Sequence, residues 1–305
     1  MSTNTINVDD VASAIPAGLV AAEVVEVIHN SAVLGNLVNR DASRTVARAG
    51  DVVTIPRRGL LERKNKAKDS TVTKQVPSDS GVQVALDKHQ EVTFLVEDVA
   101  RMKAEPDYYM GYLRDAVAVL AAGLDLDILN MYTDLTYEVG TAGVDATPDI
   151  IVDARKELLT NGKVLAQVQP KYYVMSYKDE AALLKTEKFT SAEKIGDDGT
   201  ALREASLGRR YGVNLIAHSQ VDTSGTSPIS THGVLFTPDA FALVTRPMPT
   251  DGNGLGVRQE IAIANGIAMR ITRSYDTDYL ALKTTVDLLY GVKVRQPELA
   301  VEVLT

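Results

Sequence analysis

Residues 50–98 read GDVVTIPRRGLLERKNKAKDSTVTKQVPSDSGVQVALDKHQEVTFLVED. The stretch opens with a β-rich run at residues 52–55, which Pro56 stops, and β-patterned residues return at 82–86 and 92–96. Strands need partners, and a two-stranded ribbon alone in water is only marginally stable. We therefore expect a long β-ribbon that leaves its own subunit and lies on another molecule.

The loop of this ribbon is strongly basic. Residues 57–74 include seven basic and two acidic side chains, a local charge of +5 in a chain of net charge −8, so the remainder carries −13. A solvated charge run is the ordinary explanation for such a tract. Here the flanking β segments and the acidic remainder favour contact between copies. The residues expected to contact a neighbouring copy are Arg57, Arg58, Arg63, Lys64, Lys66 and Lys68.

Contact between this loop and nucleic acid is the minor alternative. No aromatic residue lies within residues 57–74, so the loop has no platform on which single-stranded bases would stack. The net negative charge of the whole chain also argues against a basic, histone-like coat.

Length and composition describe a globular protein with an aliphatic core. The 305 residues are 45% hydrophobic and 24% charged, with no Trp and four Phe, and suffice for one large domain or two modest ones. The absence of Cys excludes disulfides and thiolate chemistry. Residues 1–10 lack signal-peptide features, and charged residues interrupt the apolar run at 15–38. We expect no membrane span and a cytosol-like environment.

The clearest helix is predicted at residues 106–135, where apolar residues recur every three or four positions. Pro106 suits the first helical turn. Thirty helical residues span roughly 45 Å, whereas a compact domain of this size has a radius of gyration of about 19 Å. We therefore expect a spine helix in a flattened molecule, preceded by a weakly capped helix at 17–37 within an N-terminal arm.

The middle of the chain is predicted to be α/β. A helix is expected to start at residues 147–149 and to stop at Asn161-Gly162, and a second helix to start at a capping box made by Ser176 and Asp179. Strands are expected at 172–175, 213–217 and 234–237.

The tail of the chain is predicted to return to β structure. Strands are expected at 260–264, 267–271, 284–289 and 292–294, with turns at Asn265-Gly266 and at Gly291. Strands at both ends of the chain imply one sheet built from distant segments, with the middle block inserted as a second domain.

The sequence shows no pattern for catalysis, a cofactor or a metal. Asp125 and Asp127 would point apart on a helix, so we expect them to serve solubility and pairing between helices. A glycine group at residues 252–256 lacks the spacing of a dinucleotide or phosphate loop. The histidines lack metal-ligand spacing and are expected at the surface or on edge strands. They are His29, His89, His218 and His232.

The order of these parts resembles the major capsid protein of tailed bacteriophages, and most of all its podovirus-type coat branch. The resemblance spans nearly the whole chain and rests on loose motifs in a fixed order. These are Gly50-Asp51-Val52-Val53-Thr54-Ile55-Pro56, residues 87–98, Ala121-Ala122-Gly123-Leu124-Asp125-Leu126-Asp127 and Leu207-Gly208-Arg209-Arg210-Tyr211-Gly212-Val213-Asn214.

The resemblance implies an α+β fold with an N-terminal arm, an extended β-hairpin loop, a long spine helix, a peripheral domain and an inserted axial domain. The arm would be residues 1–45, and the hairpin loop with its flanking strands 46–98. The peripheral domain would be 99–146 with 246–305, and the axial domain 147–245.

The resemblance also implies a non-enzymatic subunit that self-assembles, as pentamers and hexamers, into an icosahedral shell around double-stranded DNA. The expected partners are further copies of the chain, scaffolding and portal proteins, and the enclosed DNA without sequence-specific contacts. The expected location is the virion, after assembly in the host cytoplasm. An encapsulin-like compartment subunit of the same fold stays as the alternative. An α/β enzyme is a more distant one.

Overall fold

The computed structural model describes residues 17–40, 52–57, 63–76, 80–98, 107–186, 207–221, 223–224, 230–250, 257–264 and 266–305. The helices α1 to α4 are Ala17–Ser31, Asp107–Leu129, Pro148–Val168 and Tyr177–Leu184. The strands β1 to β7 are Val52–Arg57, Ser80–Ala85, Lys88–Glu97, Glu138–Gly140, Tyr172–Met175, Arg209–Arg210 and Val213–Ala217. The strands β8 to β14 are Thr223–Ser224, Ser230–Phe236, Phe241–Arg246, Val257–Ala264, Ile267–Asp276, Ala281–Val294 and Ala300–Leu304.

Within the described residues these strands form a ribbon and two larger sheets. The ribbon pairs β1 with β2. A five-stranded sheet runs in the order β10-β13-β12-β11, with β3 also paired to β13. A seven-stranded sheet runs in the order β4-β14-β9-β5-β7-β6, with β8 paired to β9.

The five-stranded sheet joins segments that are far apart in the chain, as the sequence predicts. Strand β3 pairs antiparallel with β13, from Glu97 opposite Ala281 to Lys88 opposite Tyr290. The stretch 92–96, which reads as part of the ribbon, therefore belongs to the body of the subunit.

Three strands depart from the predicted domain ranges. Strand β10 falls mostly in the range expected for the axial domain but pairs with β13 of the five-stranded sheet. Strands β4 and β14, both expected in the peripheral domain, pair with each other in the seven-stranded sheet, where β14 also pairs with β9. The two sheets are thus tied together by the last strands of the chain, and the division into four parts stays a prediction.

Helix α2 is the expected spine. Pro106 lies outside the described residues, and the helix runs from Asp107 into a 3₁₀ turn, Asn130–Asp134, one residue short of the expected end. By length and composition the stretch Tyr109–Asp134 could cross a membrane, but its apolar face lies in the hydrophobic core. The core residues on this face include Leu113, Val117, Leu120, Leu124 and Ile128.

Helix α1 is the helix expected in the N-terminal arm, and it packs against α2 and β11. It ends at Ser31, followed by a 3₁₀ turn at Leu34–Asn36 rather than by a continuous helix to residue 37. Val24 and Ile28 are buried in the same core as the spine. This part of the predicted arm is therefore folded onto its own subunit.

Asp125 joins the 3₁₀ turn at Leu34–Asn36 to the spine helix by hydrogen bonds. Its carboxylate is fully buried and accepts hydrogen bonds from the backbone N–H groups of Val33, Leu34 and Gly35, at 2.9, 3.1 and 3.0 Å. Nε2 of His218, the residue directly after β7, lies 3.4 Å from the same carboxylate. The expectation that Asp125 serves solubility is wrong, because this side chain holds the N-terminal segment from within the core.

Asp127 points to different partners, as the spacing predicts. It accepts a hydrogen bond from the hydroxyl of Tyr290 on β13, and its carboxylate lies 2.8 Å from Nζ of Lys88 on β3. Burial, and then this hydrogen bond, raises the pKa of Tyr290. The two carboxylates therefore join the spine to the N-terminal segment and to the five-stranded sheet.

The middle helices follow the predicted signals closely. Helix α3 starts at Pro148, and its backbone leaves the helical region at Lys163, with φ +47°, directly after the predicted Asn161-Gly162 stop. The helix then resumes to Val168, so the stop signal produces a kink instead of an end. At α4 the N-cap half of the predicted capping box is confirmed, since the Ser176 hydroxyl oxygen accepts from the backbone N–H of Asp179. The Asp179 carboxylate accepts from the hydroxyls of Ser176, Thr231 and Thr305.

Candidate assembly surface

The ribbon has a regular base. Strands β1 and β2 pair antiparallel over six residues each, from Val52 opposite Ala85 to Arg57 opposite Ser80. The two β segments of this hairpin are thus predicted from the sequence, but the expected stop at Pro56 is wrong, because Pro56 pairs with Gly81 inside the ribbon.

The base of the ribbon packs on its own subunit. Ile55, Val84 and Leu86 are buried together with Ala242 and Val244 of β10 in a small second core. The prediction that the whole ribbon leaves its subunit is therefore wrong for this part.

Gly291 allows the ribbon to approach the sheet. A Cβ at this position would overlap the backbone carbonyl oxygen of Ala85 on β2. The predicted turn at Gly291 is wrong, since β13 runs straight through it. A glycine inside a strand can also indicate the close approach of another backbone, and Gly291 is such a glycine.

The described distal part of the ribbon, residues 63–76, is exposed along nearly its whole length. It forms no strand there, and it reverses at a turn in which the backbone N–H and the hydroxyl of Ser70 donate to the Ala67 carbonyl oxygen, at 3.3 and 2.8 Å. Val72 and Val76 are 72% and 92% exposed. Backbone polar groups and apolar side chains in this part are in contact with solvent in the single subunit.

Five cations are presented by this distal part. All of them are exposed, and none forms an ion pair with another described residue. They are Arg63, Lys64, Lys66, Lys68 and Lys74. Their side chains are available to carboxylates of another molecule, and the contact itself stays a prediction.

Arg57 differs from these five cations in its position and its partner. Arg57 does not lie at the tip but at the end of β1, half-buried, where its guanidinium pairs with Glu298 of the same chain. Arg57 therefore belongs to the base of the ribbon and not to its loop, and its expected contact with a neighbouring copy stays a prediction. Arg58 lies outside the described residues.

Strand β3 lies at the edge of the five-stranded sheet. Among the described residues it has a strand partner on one side only, namely β13. It is ten residues long, and its side chains alternate between exposed and partly buried. A long free edge presents a row of backbone donors and acceptors that another chain can complete. The sequence shows this strand but not its position at an edge, which depends on sheet order.

The described residues contain no group of three or more His, Asp or Glu side chains placed to hold a metal ion. The candidate assembly surface consists of the exposed cations and backbone of residues 63–76 and of the edge of β3 that lacks a described strand partner.

Comparison with known proteins points to one kind of structure. No protein-family model matches the chain, and no curated protein matches its sequence. Among solved structures, a chain from Mycobacterium phage Che8 matches with a TM-score of 0.65 and 24% identity, covering 89% of this chain and 90% of that one. The capsid of cyanophage P-SCSP1u matches with a TM-score of 0.56 and 13% identity, covering 88% and 86%.

Other phage capsid structures match as well, including those of phage PhiM1 and Ralstonia phage GP4. A virus-like particle from Pyrococcus furiosus matches with a TM-score of 0.50 and 12% identity, covering 93% of this chain and 97% of that one. The chain therefore has the α+β fold of phage capsid proteins, and the predicted fold class is confirmed.

Proposed function

We propose that this chain is the major capsid protein of a tailed bacteriophage, a structural subunit that self-assembles into an icosahedral shell enclosing double-stranded DNA. The observation that carries the proposal is the ribbon: its base is folded onto the subunit while residues 63–76 stay exposed and basic. The phage capsid fold, matched along nearly the whole chain, supports the same function.

The physical argument is that weak contacts add up in a closed lattice. An exposed ion pair contributes about 0 to 1 kcal/mol, which is too little to hold two subunits together. Each subunit would offer five such cations to a neighbour and would receive a ribbon from another. Repetition around pentamers and hexamers converts these small terms into a stable but reversible shell.

The partners and the location follow from that function. The subunit would act with further copies of itself and with scaffolding and portal proteins, and would hold its DNA without reading its sequence. It would need neither a cofactor nor a membrane. The shell would form in the host cytoplasm and end in the virion.

A compartment with a protein cargo is the second candidate, and the similarity to the virus-like particle from Pyrococcus furiosus favours it. The two candidates share a shell and differ in contents. An α/β enzyme receives no support from the described residues.

Negative-stain imaging and sedimentation of the expressed chain test both candidates. Closed particles or capsomers are expected, and a strictly monomeric species at high concentration would contradict either function. Particles isolated from infected or expressing cells should protect double-stranded DNA from nuclease. Particles that contain a second protein and no DNA would favour the compartment.

A further inference from the structure

Three cations from three separate elements meet at one end of the seven-stranded sheet. Arg155 comes from α3, Lys171 directly precedes β5, and Arg209 begins β6. The backbone carbonyl oxygen of Lys171 accepts from the N–H of Asn214 at 2.9 Å, and Asn214 is the strand partner of Arg209. Sheet pairing therefore fixes the positions of Lys171 and Arg209 relative to each other.

Arg155 is held against the turn that joins β6 to β7. A Cβ built on Gly212 would lie 3.7 Å from a terminal nitrogen of the Arg155 guanidinium, so this group packs on the glycine backbone. Its Nε is buried and has no hydrogen-bond partner among the described residues. A buried guanidinium nitrogen without an acceptor carries a free-energy cost that an anionic ligand would remove.

Lys171 is only 9% exposed. Its Nζ donates to the carbonyl oxygen of Gln169 at 3.2 Å, which satisfies one of its three donors. Burial, followed by the positive charges of Arg155 and Arg209, lowers the pKa of Lys171. The ammonium group is thus placed where its charge is unfavourable in the subunit alone.

Two other cations of low exposure, Arg270 and Arg273, have carboxylate partners. Arg270 binds Asp287 at 2.7 Å, and Arg273 binds Glu260 at 2.6 Å, each within the five-stranded sheet. In the part of the chain that the structure describes, no carboxylate lies within ion-pair distance of Arg155, Lys171 or Arg209. Among the described residues, therefore, this cluster differs from a structural ion-pair network in having no carboxylate partner.

We propose that Arg155, Lys171 and Arg209 form a binding site for phosphate groups. A planar guanidinium binds phosphate oxygens in a bidentate manner, and an ammonium adds a point charge beside it. Three positive charges exceed what a single carboxylate balances. A chain of phosphodiesters supplies successive charges, one per roughly 1.7 Å of duplex axis.

The phosphate source that fits is the backbone of double-stranded DNA, and this assignment rests on the proposed function. The chain has a net charge of −8, so most of its surface repels DNA. A cluster repeated in every subunit would give the enclosed DNA a favourable contact that ignores sequence, because it touches phosphate and no base.

Titration of the purified 305-residue chain with inorganic pyrophosphate tests the site directly. Arg209→Gln should weaken binding about tenfold, the loss expected for a charge-assisted contact. Arg209 is exposed, so this variant should fold normally. Lys156→Gln is the matched control, since it removes one exposed charge from α3 beside Arg155 and should leave the affinity unchanged. Equal affinity for all three proteins, or no binding at all, would overturn the proposal.

A 20-base-pair duplex, titrated at several salt concentrations, tests the source of the phosphate. Arg209→Gln should lower the slope of log affinity against log salt by about one, and Lys156→Gln should not. Pyrophosphate binding without duplex binding would exclude DNA as the ligand.

Imaging of the same variants separates this proposal from the proposed function. If the unchanged chain forms no particles, the shell function fails while the titration still decides the phosphate site. If Arg209→Gln prevents particle formation and keeps its pyrophosphate affinity, the cluster is a contact between copies and the phosphate site is wrong.

Discussion

The spine helix and the distal ribbon are the two regions of this chain that differ most in how far one subunit completes them. Along α2, Leu113, Val117 and Leu124 are fully buried. In the distal ribbon Val72 and Val76 are almost as exposed as in an unfolded chain. Both regions contain β-branched and aliphatic residues, so composition alone does not distinguish them.

The two regions differ in whether contacts within one subunit bury their apolar side chains. Burial of apolar surface stabilises the subunit by roughly 25 cal/mol per Å², and the spine gains this within one copy. Residues 63–76 gain almost nothing from their own subunit, so changes there should leave folding intact. The comparison therefore separates two measurements: the free energy of unfolding reports on the spine and the ribbon base, and particle formation reports on the distal ribbon.

The largest effect on folding is expected from Asp125→Ala. The substitution leaves the buried N–H groups of Leu34 and Gly35 without their acceptor, whereas the N–H of Val33 keeps the carbonyl oxygen of Ser31. At about 1 kcal/mol or more for each buried donor left unsatisfied, the free energy of unfolding should fall by at least about 2 kcal/mol. Urea unfolding followed by circular dichroism measures it. Asp115→Ala, an exposed change on the same helix, is the control and should stay within about 0.5 kcal/mol.

Gly291→Ala should destabilise the ribbon base. The new Cβ would overlap the carbonyl oxygen of Ala85, so β2 must move from the sheet. A strain of this kind costs typically about 1 to 3 kcal/mol, and it should open β1 and β2 to limited proteolysis. Gly111→Ala is the matched control because nothing lies near its Cβ position in α2, and it should stabilise the helix by about 0.5 to 1 kcal/mol. The same sign for both changes would contradict the packing described for Gly291.

Arg57→Ala should have a small effect, because its pair with Glu298 is half-exposed. A double-mutant cycle with Glu298→Ala should give a coupling energy of no more than about 1 kcal/mol. Particles should still form, since Arg57 is engaged within its own chain. Complete loss of particles with an unchanged subunit would instead restore Arg57 to the contact between copies.

The order of parts could be predicted from the sequence because each part has a local signal. The 3.6-residue pattern gives α2, the N-cap at Ser176 gives α4, and the β-rich runs give β1 and β2. Long-range pairing has no such signal. The addition of β14 to the sheet of β9, and the passage of β2 over Gly291, depend on contacts between distant residues.

The candidate site was predicted unevenly for the same reason. The exposed cations of residues 63–76 follow from composition and polarity. Arg57 looks identical in the sequence, yet Glu298, its partner, lies more than 200 positions away. The cluster of Arg155, Lys171 and Arg209 is spread over three elements, and no spacing rule brings it together.

The smallest effect on folding, and the strongest on assembly, is expected from the combined change Lys64→Glu, Lys66→Glu and Lys68→Glu. These side chains are exposed and form no ion pair with a described residue, so the free energy of unfolding should change by no more than about 0.5 kcal/mol. The change reverses three charges toward a neighbour whose body is acidic.

Like charges would then face each other at every copy of the contact, and sedimentation should show subunits where the unchanged chain gives particles. The matched control reverses three exposed lysines elsewhere, with Lys156→Glu, Lys163→Glu and Lys283→Glu, so that net charge changes equally. If particle yield falls equally in both triple variants, net charge alone governs assembly and the ribbon has no special part in it. If the ribbon variant assembles normally, its cations do not bind a neighbouring copy, and the unfinished backbone of residues 63–76 must find its partner by other contacts.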